Sequence, residues 1–353
     1  MEIADLLQMT NEASASDLIL VVGFPPALRV DGLIKATALS PLTPKEAERL
    51  IFSMLSKEQV DLFRRNKELD FSYNVEALAR FRVNVHQQRG SVAAALRRIP
   101  MGIPTFKELG LPEQVISQLC SARSGLVLVT GQTGSGKTTT LASMIDFINK
   151  TRACHVVTIE DPIEFLHKHN KSIVEQREVY RDSSSFSTAL RYIMRQNVDV
   201  IFIGEMRDLE TISTAITASE TGQLVLATLH TVDASETINR IIDVFPWRQQ
   251  QQIRVQLAST LAGVISQRLL PKAKEGGLTV ACEIMLGVPS IKHLIREGNV
   301  HQLRNVIETG LKHGMQSMDQ ALVKLYQDKI ISRDELLFNL KDKEREDIHD
   351  ILH

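Results

Sequence analysis

The chain has 353 residues, which is long for one compact core and predicts two domains. Its 43% hydrophobic and 24% charged residues are typical of a soluble globular protein, and a net charge of −1 excludes a general electrostatic attraction to nucleic acid or anionic lipid. Cys120, Cys154 and Cys282 stand singly, which excludes a four-cysteine zinc site and fits reduced thiols in the cytoplasm.

The sequence shows no pattern that predicts insertion into a membrane. Residues 1–17 lack the basic start and the long apolar core of a secretory signal peptide. No window approaches the roughly 18 apolar residues that a membrane-spanning helix needs. We therefore expect any membrane association to come through a partner.

Residues 1–99 alternate between strand and helix patterns. The predicted strands are residues 17–22, 27–30, 33–36, 68–73, 79–86 and 91–99. The Asp31-Gly32 pair is a hairpin signal, and Thr43-Pro44 is typical of a helix start. The predicted helices are residues 1–10, 44–55 and 57–65. These elements predict a small α+β domain.

Residues 100–112 are the predicted linker, since two prolines and a glycine fall within residues 100–104. Beyond the linker, short apolar runs alternate with helical patterns, which is typical of a parallel α/β sheet. The predicted strands are residues 126–129, 155–159, 198–203 and 224–229, with helices such as 186–195 and 209–220 between them. After Pro246 the chain is predicted to be mostly helical, at residues 248–269, 290–297, 300–309 and 318–329. This second domain is predicted over residues 113–353.

The stretch GLVLVTGQTGSGKTT at residues 125–139 carries the strongest functional signal. An apolar strand leads into G-x-x-x-x-G-K-[ST], and a helix follows, which is the context of a phosphate-binding loop. The predicted nucleotide-binding residues are Gly131, Gln132, Thr133, Gly134, Ser135, Gly136, Lys137, Thr138 and Thr139. Backbone amides and the helix N-terminus favour an anion, Lys137 can reach the β- and γ-phosphates, and Thr138 is placed to bind Mg²⁺. The predicted ligands are ATP and Mg²⁺.

Carboxylates follow two of the other predicted strands. The run TIEDPIE brings Glu160, Asp161 and Glu164 after the strand at 155–159, where ligands lie in such folds. Glu160 or Asp161 could instead cap the next segment. The strand at 198–203 ends in Gly204-Glu205, and a carboxylate at that position can polarise water or help to hold the metal.

His230 ends the next strand, at residues 224–229. A lone histidine is often only a structural hydrogen-bonding group. At this edge of the sheet, next to the phosphate loop, a sensor of the γ-phosphate is the better interpretation.

Several motifs in order resemble the secretion ATPase superfamily and, within it, the type IV pilus retraction ATPases of the PilT/PilU family. They are GQTGSGKT, TIEDPIE, GEMRD, TASETG and ATLHT, and the resemblance covers nearly the whole chain. It implies a PAS-like N-terminal α+β domain joined to a RecA-like P-loop ATPase domain with a helical C-terminal part. It also implies an acidic box at TIEDPIE, a Walker B carboxylate at Glu205 and a histidine box at Thr228–His230.

The resemblance further implies a homohexameric ring in which arginines of the N-terminal domain reach ATP in a neighbouring subunit. By position these arginines correspond to Arg82 and Arg97, with Arg80 and Arg98 as alternates. Solvated strand charges are the competing interpretation. The expected catalytic residues are thus Glu164, Glu205, His230, Arg82 and Arg97, with Thr138 and Glu205 at the metal. The division of labour between Glu164 and Glu205 stays open.

The implied function is a cytoplasmic motor that hydrolyses ATP to retract type IV pili, peripheral at the inner membrane. The implied partners are a pilus platform protein and, as an open alternative, a paralogous retraction ATPase. GEMRD looks like PilT, whereas GMQSMDQAL at residues 314–322 looks more like PilU. A secretion or extension ATPase is disfavoured by the missing cysteine motif. A nucleic-acid translocase is disfavoured by the neutral net charge, so no nucleic-acid partner is expected.

Overall fold

The computed structural model describes residues 2–30, 32–75, 79–99, 102–274 and 276–341. These residues form two compact units. The first comprises the described residues up to Gly102 together with Pro162–Leu166, and the second comprises Ile103–Asp161 and the described residues from His167 onward. Within the predicted linker and the predicted second domain, residues 100, 101, 275 and 342–353 lie outside the described residues, as do Met1, Asp31 and residues 76–78 in the predicted N-terminal domain.

The first unit is an α+β structure built on one antiparallel sheet. Its elements in chain order are α1 (Ile3–Glu12), β1 (Asp17–Leu20), β2 (Ala27–Val30), β3 (Leu33–Ala36), α2 (Pro44–Phe52), α3 (Lys57–Asn66), β4 (Glu68–Val75), β5 (Ala79–Gln88) and β6 (Ser91–Ile99). The strand order is β3-β2-β1-β6-β5-β4. In β5 every second residue is buried from Ala79 to Val85, so the strand packs one face on the helices and leaves the other partly open.

Local sequence signals explain where the helices of the first unit begin. At α2 the Thr43 hydroxyl accepts the Glu46 N–H, Glu46 returns a bond to the Thr43 N–H, and Pro44 occupies the first turn. At α3 Ser56 and Gln59 form the same reciprocal cap. Capping of this kind satisfies amides that have no partner inside the helix, and it makes these boundaries readable from sequence.

The second unit is an α/β structure. Its elements are α4 (Phe106–Leu109), α5 (Glu113–Ser121), β7 (Gly125–Thr130), α6 (Lys137–Thr151), β8 (His155–Glu160), β9 (Ile173–Glu178), α7 (Phe186–Ile193), β10 (Val200–Ile203), α8 (Leu209–Glu220), β11 (Leu224–Leu229), α9 (Ala234–Asp243), α10 (Trp247–Thr260), β12 (Leu261–Pro271), β13 (Leu278–Leu286), α11 (Pro289–Glu297), α12 (Leu303–Thr309), α13 (Met318–Gln327) and α14 (Arg333–Asn339). Short 3-10 turns span Val300–Gln302 and Leu311–His313.

The sheet of the second unit has the strand order β13-β12-β7-β11-β10-β8-β9. All neighbours are parallel except β12 and β13, which pair antiparallel. Every residue of β7, β10 and β11 is buried, as expected for central parallel strands covered by helices. The carboxyl ends of these three adjacent strands therefore meet at one edge of the sheet.

The predicted helix at residues 248–269 is wrong in its second half. Helix α10 ends at Thr260, and residues 261–271 form β12, which pairs with both β7 and β13. A continuous apolar run such as LAGVIS fits a buried helix and a buried strand equally well, because both lack a polar face. Only the pairing with β7 decides between them. Strands β9 and β13 were also not predicted.

The segments after β13 are helical, as predicted, and helices α13 and α14 pack a small apolar cluster around Leu322 and Leu336. Within the residues that the structure describes, no helix is long and apolar enough to span a bilayer.

Candidate active site

The loop between β7 and α6 has the backbone geometry of a phosphate-binding loop. Gly131, Gly134 and Gly136 all have positive φ, and Gly136 is the residue from which α6 starts. A Cβ on Gly131 would lie 2.5 Å from the carbonyl oxygen of Gln267 and 2.5 Å from Ser135 Oγ. Only glycine fits there, because the loop passes so close to β12.

Lys137 is the buried cation of this loop. The residue is only 8% exposed, and its Nζ donates to the carbonyl oxygens of Gly131 at 2.8 Å and Gln132 at 2.9 Å. Burial lowers the pKa of this ammonium, and the negative charge of Glu205 offsets part of that effect. The lysine is thus held over its own loop by two carbonyls that a phosphate group could replace.

Glu205 lies just beyond the carboxyl end of β10 and is in contact with two nitrogen-bearing side chains. Arg207 Nε lies 2.6 Å from Glu205 Oε1, and His230 Nε2 lies 3.1 Å from the same oxygen. His230 Nδ1 in turn lies 3.5 Å from Lys137 Nζ. Burial acts to raise the pKa of Glu205, but the neighbouring Arg207 and His230 outweigh it, so the pKa is lowered. The carboxylate is therefore kept ionised.

The turns that carry Glu205 and His230 are tied to each other. The Thr228 hydroxyl donates to the carbonyl oxygen of Gly204, and the Met206 N–H donates to the carbonyl oxygen of Thr228 at 3.1 Å. Because β10 and β11 are neighbours in register, these bonds hold the two functional side chains at a constant separation.

The carboxylates after β8 occupy different surroundings. Glu160 is buried, and its Oε1 accepts from the Thr158 hydroxyl at 2.6 Å and from Gln176 Nε2 at 3.1 Å, which is a structural arrangement. Asp161 is exposed, and its charge acts on Arg207.

Glu164 belongs to the short segment that packs with the first unit. Its Oε1 lies 3.7 Å from Arg82 Nη1 on β5. Arg80, two residues away on the same face, donates from Nε to the carbonyl oxygen of Ile163 at 2.9 Å. Arg80 therefore holds this segment by its backbone, whereas Arg82 meets the Glu164 side chain.

Arg97 and Arg98 lie on opposite faces of β6. Arg97 is 73% exposed at its side chain, with Nε 3.1 Å from Asp17 Oδ1. Arg98 donates from Nε to the carbonyl oxygen of Ala15 and from Nη1 to Asn11 Oδ1. Arg98 is committed to contacts inside the first unit, which leaves Arg97 as the arginine of this strand that an external ligand can reach.

The structure thus brings Lys137, Glu205 and His230 together, as predicted from sequence, and adds two residues. Arg207 contacts Glu205 and stood in the GEMRD motif without a role. Gln267 Nε2 donates to Thr140 Oγ1 at 2.8 Å beside the loop. Gln267 was missed because residues 261–269 were predicted to be helical. Gly131–Ser135 together with Val232, Gln267, Arg268 and Leu269 line one cavity at this edge.

A magnesium ion fits this site only in company with the nucleotide. In the part of the chain that the structure describes, no three His, Cys, Asp or Glu side chains could hold a metal by themselves. Mg²⁺ usually keeps several waters and binds one or two protein groups plus substrate phosphates. Thr138 in the first turn of α6 and Glu205 beyond β10 are suitable groups of that kind.

Comparison with known proteins agrees with these features. Residues 28–282 match the family model described as Type II/IV secretion system protein. The chain is 47% identical to the type IV pilus retraction ATPase PilT of Pseudomonas aeruginosa over 334 residues, which cover 95% of this chain and 96% of PilT. It is 40% identical to the type IV pilus ATPase PilU of the same organism, over 92% of this chain and 85% of PilU.

The fold is also that of a solved relative. The crystal structure of the pilus retraction motor PilT with bound ADP superposes on this chain with a TM-score of 0.91 at 48% identity, covering 98% of each chain. The predicted fold class, an N-terminal domain followed by an ATPase domain with a helical C-terminal part, is confirmed. The chain is a member of the Type II/IV secretion system protein family and, within it, a P-loop ATPase of the PilT/PilU group.

Proposed function

We propose that this protein is a motor that hydrolyses ATP to power type IV pilus retraction. The observation that carries the proposal is the convergence of Lys137, His230 and Glu205, from three adjacent strand ends, beside a glycine-rich loop. The similarity to PilT over nearly the full length supports retraction rather than another use of the same site.

ATP would bind with its phosphates on residues 131–139. The carbonyl oxygens of Gly131 and Gln132 now accept from Lys137 Nζ, and the β- and γ-phosphates would take their place. Thr138 and Glu205 would hold Mg²⁺, which supplies charge neutralisation on the phosphates when bound. Phosphoryl transfer needs positioning and electrostatics more than covalent chemistry, and this loop provides both.

Glu205 and Glu164 would share the activation of water. Glu205 is ionised, which suits a group that accepts a proton or orients water. Glu164 approaches Arg82, so its charge is already matched to an arginine of the first unit. His230 would sense the γ-phosphate, since its two ring nitrogens lie near Lys137 and Glu205.

We propose a homohexamer in which Arg82 and Arg97 complete the site of a neighbouring subunit. We also propose that residues 1–99 are the PAS-like domain, residues 100–112 the linker and residues 113–353 the ATPase domain. The platform protein of the pilus machine at the inner membrane, and a PilU-type paralogue, are the proposed partners. Native mass spectrometry of the full chain with Mg-ATP tests the hexamer directly.

The test of the function is deletion of the gene in the native host, scored for surface pili and twitching. We expect hyperpiliated cells that do not twitch, because pili would extend but not retract. Bald cells would instead indicate an extension ATPase. If the host carries a second retraction gene, both genes are deleted. Normal piliation and twitching would then contradict a role in the pilus machine.

A further inference from the structure

The ion-pair contacts of Arg207 and His230 with Glu205 meet at one oxygen. Both Arg207 Nε, at 2.6 Å, and His230 Nε2, at 3.1 Å, approach Oε1. A carboxylate that is to act on water needs one oxygen for its anchor and the other for the water.

Lys137 is a further cation near Glu205, and the charge of Glu205 acts on it. Without Arg207, the groups left to attract the Glu205 carboxylate would be His230 and Lys137. A direct ion pair between Lys137 and Glu205 would remove the base from the water and the lysine from the phosphates at the same time. Arg207 supplies a competing attraction, and Asp161, whose charge also acts on Arg207, helps to keep the guanidinium near this edge.

We propose that Arg207 is a positioning residue for ATP hydrolysis: it anchors Glu205 by Oε1 and so keeps Oε2 available for the attacking water. The inference rests on the proposed function. It gives a role to the arginine of the GEMRD motif.

Arg207 is much more exposed than Glu205, and this difference indicates that their ion pair matters for the chemistry rather than for folding stability. The Arg207 side chain is 75% exposed, whereas that of Glu205 is 19% exposed. Ion pairs with so exposed a partner add little to folding stability, because water screens them and the long side chain loses entropy. Removal of the guanidinium should therefore leave the fold intact and change the chemistry.

The experiment compares Arg207→Gln and Arg207→Lys with wild type in steady-state ATPase assays and in binding of a non-hydrolysable ATP analogue. Arg191→Gln is the matched control, because Arg191 is also exposed, at 65% of its side chain, and also pairs with a carboxylate, that of Glu210. We expect Arg207→Gln to lower kcat by about 10- to 100-fold, the scale of a misplaced catalytic group. KM and the affinity for the analogue should stay within about threefold of wild type.

Arg207→Lys should recover part of the lost kcat, since it restores the charge without the guanidinium geometry. A wild-type or increased kcat in Arg207→Gln would overturn the inference. So would an equal loss of kcat and analogue affinity without recovery by lysine, which would indicate direct binding of nucleotide. A wild-type protein without any turnover, or a Lys137→Ala protein with normal turnover, would overturn the proposed function itself.

Discussion

Arg82 on β5 and Arg97 on β6 stand directly opposite each other in the antiparallel ladder. Like charges in a cross-strand pair repel, and here an acid lies near each arginine. Glu164 approaches Arg82 at 3.7 Å, and Asp17, the partner of Arg97 across β1, approaches Arg97 at 3.1 Å. The two guanidinium groups are thus on one face of the sheet, where a single anionic ligand could engage both.

A mixing experiment tests whether these arginines act on a neighbouring subunit. We expect Arg82→Ala or Arg97→Ala to lose activity strongly, since arginines of this kind contribute about 10³- to 10⁵-fold in rate. Either variant mixed with Lys137→Ala should regain partial ATPase activity, because some interfaces then pair an intact loop with intact arginines. Arg98→Ala serves as the control for loss of a β6 arginine, because its contacts lie inside the first unit. Mixed hexamers, confirmed by native mass, without any rescue would show that neither arginine acts in trans.

Lys137→Ala should abolish ATP turnover in a folded protein. The buried ammonium that would hold the β- and γ-phosphates is lost, while the rest of α6 stays intact. Lys150→Ala is the matched control, because Lys150 is in the last turn of the same helix and pairs with Asp146. ATP turnover is measured for both purified variants, and circular dichroism spectra check that each is folded. Similar turnover in the two variants would remove the phosphate-loop assignment.

Glu205→Ala and Glu164→Ala should each bind ATP and hydrolyse it slowly. A general base or water-orienting group contributes about 10²- to 10⁴-fold, so single-turnover rates should fall on that scale. Fluorescent-nucleotide titration measures binding in parallel. Glu210→Ala, which removes an exposed carboxylate of the second unit, should behave like wild type. A Glu205 variant that hydrolyses ATP normally would exclude it as the base.

Glycine substitutions in the phosphate loop should differ by position. Gly134 has φ +82° and open space around a would-be Cβ, so Gly134→Ala should cost about 1–2 kcal/mol for the left-handed backbone alone. At Gly131, φ is +143° and the Cβ would lie 2.5 Å from the Gln267 carbonyl oxygen. Overpacking of that kind adds about 1–3 kcal/mol. Chemical denaturation without nucleotide measures both, and an equal cost would contradict the close approach of β12.

These glycines illustrate how much of the site the sequence could predict. The phosphate loop, Glu205 and His230 were predictable because each lies next to a short apolar strand in the same stretch of chain. The approach of Gln267 to Gly131 was not, because it depends on β12 pairing beside β7 far away in sequence. The ion pair of Arg207 with Glu205 was likewise unpredictable. Both residues follow β10, and the sequence does not fix the directions in which their side chains point. The pairing of Arg82 with Glu164 depends on a segment of the second half packing with the first unit.

Glu283 offers a test by pH. It is buried on β13, and its Oε1 accepts from the Ala234 N–H. Burial, reinforced by the charge of Asp233, raises the pKa of Glu283 above its ordinary value of 4.5. A raised pKa means that the ionised form destabilises the fold. This cost begins as the pH rises through the unfolded value and is complete above the folded value.

We therefore expect Glu283→Gln to be more stable than wild type at pH 8, because glutamine keeps one acceptor, for the Ala234 N–H, and loses the charge. The advantage should shrink as the pH falls toward 4.5. Thermal unfolding across this range measures it, with Glu297→Gln, an exposed carboxylate, as the control. A variant less stable than wild type at pH 8 would show that the buried charge is compensated by its neighbours, such as Lys341.

Filming individual pili in living cells tests whether ATP turnover at Lys137 retracts them. Pili carrying a fluorescent label are filmed in a deletion strain complemented with wild type, Lys137→Ala or Lys150→Ala at equal protein levels. We expect frequent retraction with wild type and Lys150→Ala, and extended pili that do not retract with Lys137→Ala. Retraction at the wild-type rate in the Lys137→Ala strain, with no second retraction ATPase present, would contradict this expectation.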